Sequence, residues 1–405
     1  MSALPSFSLQ WRYAISFSQP ESLTCGSTDM IQRLIESKSH DSSVKILFLE
    51  PQPCIRALKY AEGLRSTEDD VRLIFAYTKK TLTQFYGYGD ELFDRMIKLE
   101  EEELPQQIRE LFDTENIDIV HSHNAPDFLT VAAIEASQGR IPVIHDIHDL
   151  ISIRSTPYGT LHPRDPHALE SERRAVTECD GLIYVTTGVE EACESTYPID
   201  QKPTLVFPNY VPRRLIPSTL RRKLSENDGE IHMVYEGSID SVNLGSHYDL
   251  KDIFKAIADQ GIHIHIYASK ENPDYAAFAN ENGYVHYHGH LHTKELLQEM
   301  TEYDYGWAGF NTARNKEHTD MVLANKVLEY VVCGLPVISF NHKTQQDFIE
   351  ENGIGIVISE MDELSSRLRE QPELDKVRAR VLECRHDFAV EDEIGKVLDF
   401  YRSLA

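Results

Sequence analysis

Short apolar runs alternate with amphipathic stretches along most of the chain. Val44-Lys45-Ile46-Leu47-Phe48-Leu49 is too continuously apolar for a half-exposed strand and reads as a parallel strand buried on both faces. A helix is predicted over Ile55–Leu64 and a second strand over Val71–Tyr77, which makes one β-α-β unit. The unit repeats. Helices are predicted over Glu100–Phe112, Pro126–Ser137, His167–Glu178 and Val189–Thr196, alternating with strands over Ile117–His121, Pro142–Asp146, Gly181–Thr186 and Pro203–Phe207. Pro126 stands in the first turn of its helix, where the N–H it lacks has no helical partner anyway. Strands and helices joined by short connections argue for a doubly wound parallel sheet.

The pattern breaks at Pro208-Asn209-Tyr210-Val211-Pro212 and resumes only after Ser225-Glu226-Asn227-Asp228-Gly229, a stretch with linker composition. A second alternation follows, with predicted strands over Ile231–Glu236, His263–Tyr267, Tyr284–Tyr287, Tyr303–Phe310 and Pro336–Phe340. The predicted helices between them cover Tyr248–Gln260, Asp274–Asn282, Lys294–Thr301 and Leu323–Cys333. Leu374–Arg402 is helical in pattern and long enough to cross back to the first half. Before the first unit, Gln10–Ser18 alternates like a strand and Asp29–Glu36 like a short helix. The expected organisation is an N-terminal extension (1–43), a Rossmann-like domain (44–210), a linker (211–229), a second Rossmann-like domain (230–385) and a returning helix (386–405).

Composition narrows the class. A length of 405 residues suits two domains, and 41% hydrophobic residues give each a core. A net charge of −26 excludes a nucleic-acid binder, because phosphate backbones need a basic face. The six cysteines form no C-x-x-C pair, which argues against a structural zinc site or a disulfide framework and for a reducing compartment. There is no basic-then-apolar leader and no apolar run near the roughly 18 residues of a membrane span. A cytoplasmic protein is expected.

In open parallel sheets ligands bind beyond the carboxyl ends of the strands, so chemistry is sought there. In Asn325-Lys326-x-x-Glu329-Tyr330-x-x-x-Gly334-Leu335-Pro336-Val337-Ile338, the spacing puts Asn325, Lys326 and Glu329 on one helix face, with Gly334 where a helix C-terminus wants glycine. A carboxylate there can accept both hydroxyls of a ribose, and a lysine can neutralise phosphate; an ordinary Lys–Glu helix pair would show the same spacing. His121 and His123 point to one side of a strand end, and His148 and Asp149 follow the next strand. A strand-end histidine can bond a ligand or be a solvated or core residue.

The N-K-x-x-E-Y-x-x-x-G-L-P-V-I stretch resembles the donor-binding signature of GT-B glycosyltransferases, in particular the retaining family 4. Tyr303-Asp304-Tyr305-Gly306-Trp307, Pro208-Asn209, Tyr235-Glu236-Gly237-Ser238 and His121-Ser122-His123-Asn124 resemble further marks of that family. The resemblance implies two Rossmann-like lobes facing across a cleft and sugar transfer from a nucleoside diphosphate with retention, without metal or cofactor. It implies that Glu329 holds the ribose and His123 a donor-sugar hydroxyl. Donor contacts are also expected of Lys326, Asn325, Gly237 and Ser238, and acceptor contacts of His148 and Asp149. The acceptor, whether saccharide, lipid-linked or protein, is not specified. His286, His288, His290 and His292 look like a metal tract but fall on the family's strand and glycine turn, so no metal site is expected.

The chain departs from the family pattern at three places. A glutamate expected eight residues before Glu329 is Met321, with Asp320 beside it as substitute. The loop Gly237-Ser238-Ile239-Asp240 lacks its basic residues, leaving Arg56, Arg314 and Lys316 to supply charge. The glycine-rich first loop is replaced by Pro51-Gln52-Pro53. Two rival functions stay open: a non-catalytic GT-B partner of an active transferase, and a nucleotide-sugar epimerase, which the N-K-x-x-E-Y signature disfavours. Arg213, Arg214, Arg221, Arg222 and Lys223 in the linker suit either a solvated connector or contact with an anionic membrane at its inner face.

Overall fold

Seven parallel strands form one sheet and six form another. The structure is a computed structural model describing residues 43–51, 53–154, 166–199 and 201–404. The strand expected over Gln10–Ser18, the helix over Asp29–Glu36 and the extension they belong to lie outside the described residues, which begin at Ser43.

The first sheet contains β1 (Val44–Leu49), β2 (Val71–Tyr77), β3 (Arg95–Lys98), β4 (Ile119–His123), β5 (Val143–Ile147), β6 (Gly181–Tyr184) and β7 (Thr204–Val206), in the order β3-β2-β1-β4-β5-β6-β7. The second contains β8 (Ile231–Gly237), β9 (Ile262–Ala268), β10 (Val285–Gly289), β11 (Tyr305–Trp307), β12 (Val337–Phe340) and β13 (Gly355–Ile358), in the order β10-β9-β8-β11-β12-β13. Both are doubly wound Rossmann-like α/β sheets. In each, the strand order reverses beside the first strand, between β1 and β4 and between β8 and β11. That reversal opens a crevice at the carboxyl ends of the strands.

Burial on both faces explains the continuous apolar runs. Along β1, Ile46 and Phe48 pack with Ala57, Leu58 and Leu64 of α1 (Ile55–Arg65), while Leu47 and Leu49 pack on the opposite face with Ile108 and Leu129. Later in the chain come α2 (Thr187–Thr196), α3 (Lys316–Met321), α4 (Asn325–Val332), α5 (Gln371–Cys384), α6 (Val390–Glu393) and α7 (Gly395–Leu404). Val327, Leu328, Val331 and Val332 of α4 enter the core of the second lobe, which leaves the Asn325–Glu329 edge for the cleft. Gly334, at φ +77°, ends that helix. Its N–H reaches Val331 O, and that of Leu335 reaches Tyr330 O, both at 2.9 Å. This closure needs a left-handed residue, which glycine adopts without strain.

Several elements differ from expectation. β4 runs two residues further than the apolar pattern suggests, so His121 is inside the strand and His123 ends it. β11 is only three residues long, because the Trp307 indole donates to Gly309 O at 3.1 Å and turns the chain out of the sheet. The long terminal helix is broken: Val211 N donates to Phe388 O and Val390 N to Val211 O, each at 3.0 Å, which fixes an extended crossing there. Beyond it, Val390, Ile394, Val397 and Phe400 share the core of Ile46 and Phe48. The edge strands β3 and β13 are too short for periodicity to reveal. Among the described residues no helix is long and apolar enough to cross a membrane.

Candidate active site

Asp146, in β5, is the hub of the first lobe. Its carboxylate accepts the Arg56 Nε–H, at 2.9 Å from Oδ2 and 3.0 Å from Oδ1, and lies 3.0 Å from His121 Nε2. Both Arg56 and Asp146 are buried. Burial alone would raise the Asp146 carboxyl, but the Arg56 guanidinium, then His121, hold it well below the usual carboxylate range. An ionised Asp146 fixes the proton of His121 on Nε2, so His121 Nδ1 accepts from the Tyr401 hydroxyl at 2.5 Å.

His123 stacks on His121, with ring centroids 4.5 Å apart and planes 4° apart. Its Nδ1 lies 3.3 Å from His148 Nε2. Burial keeps both rings neutral, pushing His123 well below its ordinary value and His148 down to about 4. The Nε2 of His123 is buried without a hydrogen-bond partner among the described residues. Such a group is completed by a ligand or costs stability.

The Pro208-Asn209 turn ties the lobes together. Arg56 Nη1 donates to Asn209 Oδ1 at 2.9 Å, Lys59 Nζ to Asn209 O at 3.0 Å, and Asn209 Nδ2 to Asn325 Oδ1 at 2.6 Å. Asn325, expected to touch the donor, is thus a hinge residue in this state, because its side-chain oxygen is taken by Asn209.

On the second lobe, Lys326 lies at the end of β8, its Nζ 4.9 Å from the Tyr235 ring centre and 5.5 Å from that of Phe310. It packs against Gly237, whose φ is +123°; a Cβ at Gly237 would lie 3.3 Å from Lys326 Nζ. Burial lowers the Lys326 ammonium, while Glu236 and Glu329 oppose that shift. Glu236 is pushed up to about 8 by burial and by the charge of Glu329, which makes it a protonated carboxyl at neutral pH. Ser238 sits one residue past the glycine, its Oγ 3.4 Å from Ser269 Oγ.

Other expected donor residues are engaged elsewhere. Lys316 is ion-paired with Asp320 one turn along α3, and Asp320 points its charge at that lysine rather than occupying the place of a sugar-binding glutamate. Met321 O accepts the Thr186 hydroxyl at the start of α2, at 2.6 Å, so α3 docks on the first lobe. Arg314 lies against the 240–248 loop, 3.2 Å from where a Cβ at Gly245 would be. Arg56 is buried on Asp146 and is not a loop residue available for phosphate. Asp240 turns into its own loop, accepting the N–H groups of Val242 at 2.9 Å and Asn243 at 3.1 Å, so it does not present a carboxylate to the cleft. Asp149 pairs with Arg154 at 2.6 Å and faces His318 of the second lobe at 3.5 Å.

Sequence reasoning missed Lys59, Asp146, Arg154, His247 and His318. The available signal was Arg56 and Lys59, two cations three apart on a helix whose other positions are mostly apolar. The linker cations form no open basic patch. Arg213 pairs with Asp392, Arg214 with Glu62, Arg221 with Glu299 and Glu302, and Arg222 with Glu226, while Lys223 Nζ donates to Thr301 O and Tyr303 O. The acidic chain supplies each with a partner.

The histidine tract is also changed by the fold. Only His286 and His288 lie in β10, and they hydrogen-bond to His263 at 2.8 Å and His265 at 3.0 Å in β9. His265 continues to His232 at 2.9 Å. The carboxylates of Asp228 and Glu230 end the two chains at His232 and His263. These rings pair nitrogen to nitrogen across strands and do not converge on one point.

Residues 61–214 match the family model described as Glycosyltransferase Family 4, and residues 243–386 match that described as Glucosyltransferase 3-like, C-terminal domain. No curated protein sequence matches the chain. The fold is similar to a glycosyltransferase from Rickettsia africae, with TM-score 0.67 and 13% identity over 89% of this chain and 98% of that one. Anabaena Alr3699/HepE in complex with UDP-glucose gives TM-score 0.64 and 15% identity over 88% and 99%. Sucrose-phosphate synthase from Thermosynechococcus elongatus gives 0.65 and 12% over 89% and 99%. With both lobes so matched, the chain belongs to the GT-B glycosyltransferases, its first lobe of the Glycosyltransferase Family 4 type and its second of the Glucosyltransferase 3-like type.

Proposed function

We infer that the protein transfers a hexose-type sugar from a nucleoside diphosphate to an acceptor, with retention and without a metal. The observation that carries this reading is Lys326 packed on the Gly237 turn with Glu329 and Glu236 beside it, at the carboxyl end of β8. In this reading Glu329 accepts the ribose hydroxyls, Lys326 meets the diphosphate as it leaves, and the unpartnered Nε2 of His123 bonds a sugar hydroxyl. His148 and Asp149 line the acceptor side. A preorganised cation at the departing phosphate acts where charge develops, which is the efficient place for it. The Anabaena neighbour was solved with UDP-glucose, which makes uridine diphosphate sugars the first donors to test.

One observation favours the rival reading of a silent binding partner: the Gly237–Asp240 loop carries no cation, and Lys316 is tied to Asp320. Single-turnover assays with labelled donors decide between them. Lys326→Ala is expected to slow transfer on the order of 100-fold, and the pair Arg314→Ala with Lys316→Ala to slow it less. Tight nucleotide binding by the wild type with neither transfer nor hydrolysis of any donor would establish the binding-partner reading. Contact with anionic lipid would require the linker cations to leave their partners, so a protein acting without that contact fits better.

A further inference from the structure

The carboxyl ends of β1, β4 and β5 gather a second set of groups that sugar transfer does not use. Cys54 caps the N-terminus of α1, and a ligand atom from each of Cys54, His123 and His148 lies within 4.8 Å of the other two. His123 Nδ1 and His148 Nε2 are 3.3 Å apart. Glu50 follows β1 and hydrogen-bonds Cys54 with its carboxyl, whose Oε2 is buried without a partner among the described residues.

We propose that Cys54, His123 and His148, with Glu50 as fourth donor, form a binding site for a soft divalent cation of the zinc class. The donor set is one sulfur, two imidazole nitrogens and one carboxylate oxygen, which suits zinc and disfavours the all-oxygen preference of magnesium or calcium. Tetrahedral zinc, with Zn–N of about 2.0–2.1 Å, holds its nitrogens about 3.3 Å apart, the separation the two imidazoles already have. The sulfur must approach by about 1 Å, and Cys54 and His148 are only partly buried, which leaves room for that adjustment.

The charges also balance. Burial pushes Glu50 up to about 8 and raises the Cys54 thiol, so both hold their protons when the site is empty. Arg56 stands close by, but Asp146 neutralises it. A divalent ion binding here displaces the thiol proton and the carboxyl proton to solvent, forms bonds to the resulting thiolate and carboxylate, and leaves the site with its former net charge. Metal binding by protonated ligands therefore releases two protons. The position of Cys54 at a helix N-terminus assists thiolate formation. An ion so held ties the start of α1 to the ends of β4 and β5. None of this depends on the donor assignment.

The test is titration of the purified protein with Co2+ in excess Mg2+, followed by absorption. One equivalent is expected to bind with a thiolate-to-cobalt charge-transfer band. That band should vanish in Cys54→Ser and need at least ten-fold more Co2+ in His148→Ala. It should persist in a variant with His286, His288, His290 and His292 all replaced by alanine. Zn2+ calorimetry in buffers of different ionisation heat should report two protons released, and one in Glu50→Gln. A cobalt spectrum without the thiolate band, or one unchanged in Cys54→Ser, overturns the proposal. Should Cys54→Ser or His148→Ala fail to fold, Zn2+ protection of wild-type Cys54 from alkylation, read by peptide mass, replaces them, and absence of protection overturns the site.

Discussion

Lys59 of α1 and Glu329 of α4 meet across the lobe boundary, ammonium to carboxylate at 3.6 Å. The same Lys59 donates to Asn209 O, so one buried cation holds both the hinge and the carboxylate proposed to bind ribose. A nucleotide entering the cleft must share Glu329 with Lys59, which couples donor binding to the contact between lobes.

Glu329→Ala should weaken nucleotide binding by roughly 1.5–3 kcal/mol, the worth of a hydrogen bond to a charged acceptor. The fold should survive, because Glu236 remains beside Lys59 and Lys326. Calorimetry with UDP measures this, and unchanged affinity removes the ribose role.

Asp146→Asn should destabilise the protein by about 3–5 kcal/mol, since it leaves the buried Arg56 guanidinium without its counter-charge. Denaturant unfolding followed by circular dichroism gives the value. A change below about 1 kcal/mol would mean that Asn209 and Tyr60 satisfy Arg56 unaided.

Acid should destabilise the second lobe through its histidine chains. His265 is pushed down to about 2 by burial and by the neighbouring His286, His288, His232 and His263. Its folded value lies below its ordinary 6.5, so the unfolded chain takes the proton first. Its contribution is complete above the ordinary value and is lost as pH falls from there toward the folded one. Melting temperature should be flat above neutrality and fall below pH ~6.5, and His265→Phe should flatten stability by up to one proton, about 1.4 kcal/mol per pH unit. An identical pH profile in that variant would show that the chain stays neutral for another reason.

Transfer should persist in EDTA, because Lys326 provides the cation at the proposed diphosphate position. Complete loss restored by a divalent ion would instead make a metal part of the reaction.

Flotation with phosphatidylserine vesicles should be weak and insensitive to Arg221→Glu with Arg222→Glu, given the ion pairs of both arginines. Binding that rises with falling salt and is lost in the double variant would return the linker to a membrane role.

The α/β alternation, the break after residue 207 and the helix ending at Gly334 were legible because each rests on neighbours within a few residues. Val44–Leu49 could only be a buried strand, and Asn325, Lys326 and Glu329 could only share a face once that stretch was helical. The pairing of Arg56 with Asp146, 90 residues apart, was not legible, because periodicity carries no information about which charges meet. Asp240 illustrates the same limit on a shorter scale: its side chain caps its own loop, and loop conformation is not periodic. The linker cations looked like a patch because their acidic partners, such as Glu62, Glu299 and Asp392, are distant in sequence.

By itself, then, the sequence determined where strands and helices form, how the two sheets wind, and that a lysine and a glutamate share one helix face. Those outcomes follow from local hydrophobic spacing, backbone stereochemistry and the turn preference of glycine. Only the tertiary structure decided that Asn325 binds the hinge, that Lys59 opposes Glu329, and that Cys54 joins His123 and His148. Each of those contacts joins segments from different elements, and its formation depends on how sheets stack and which buried charges must find a partner.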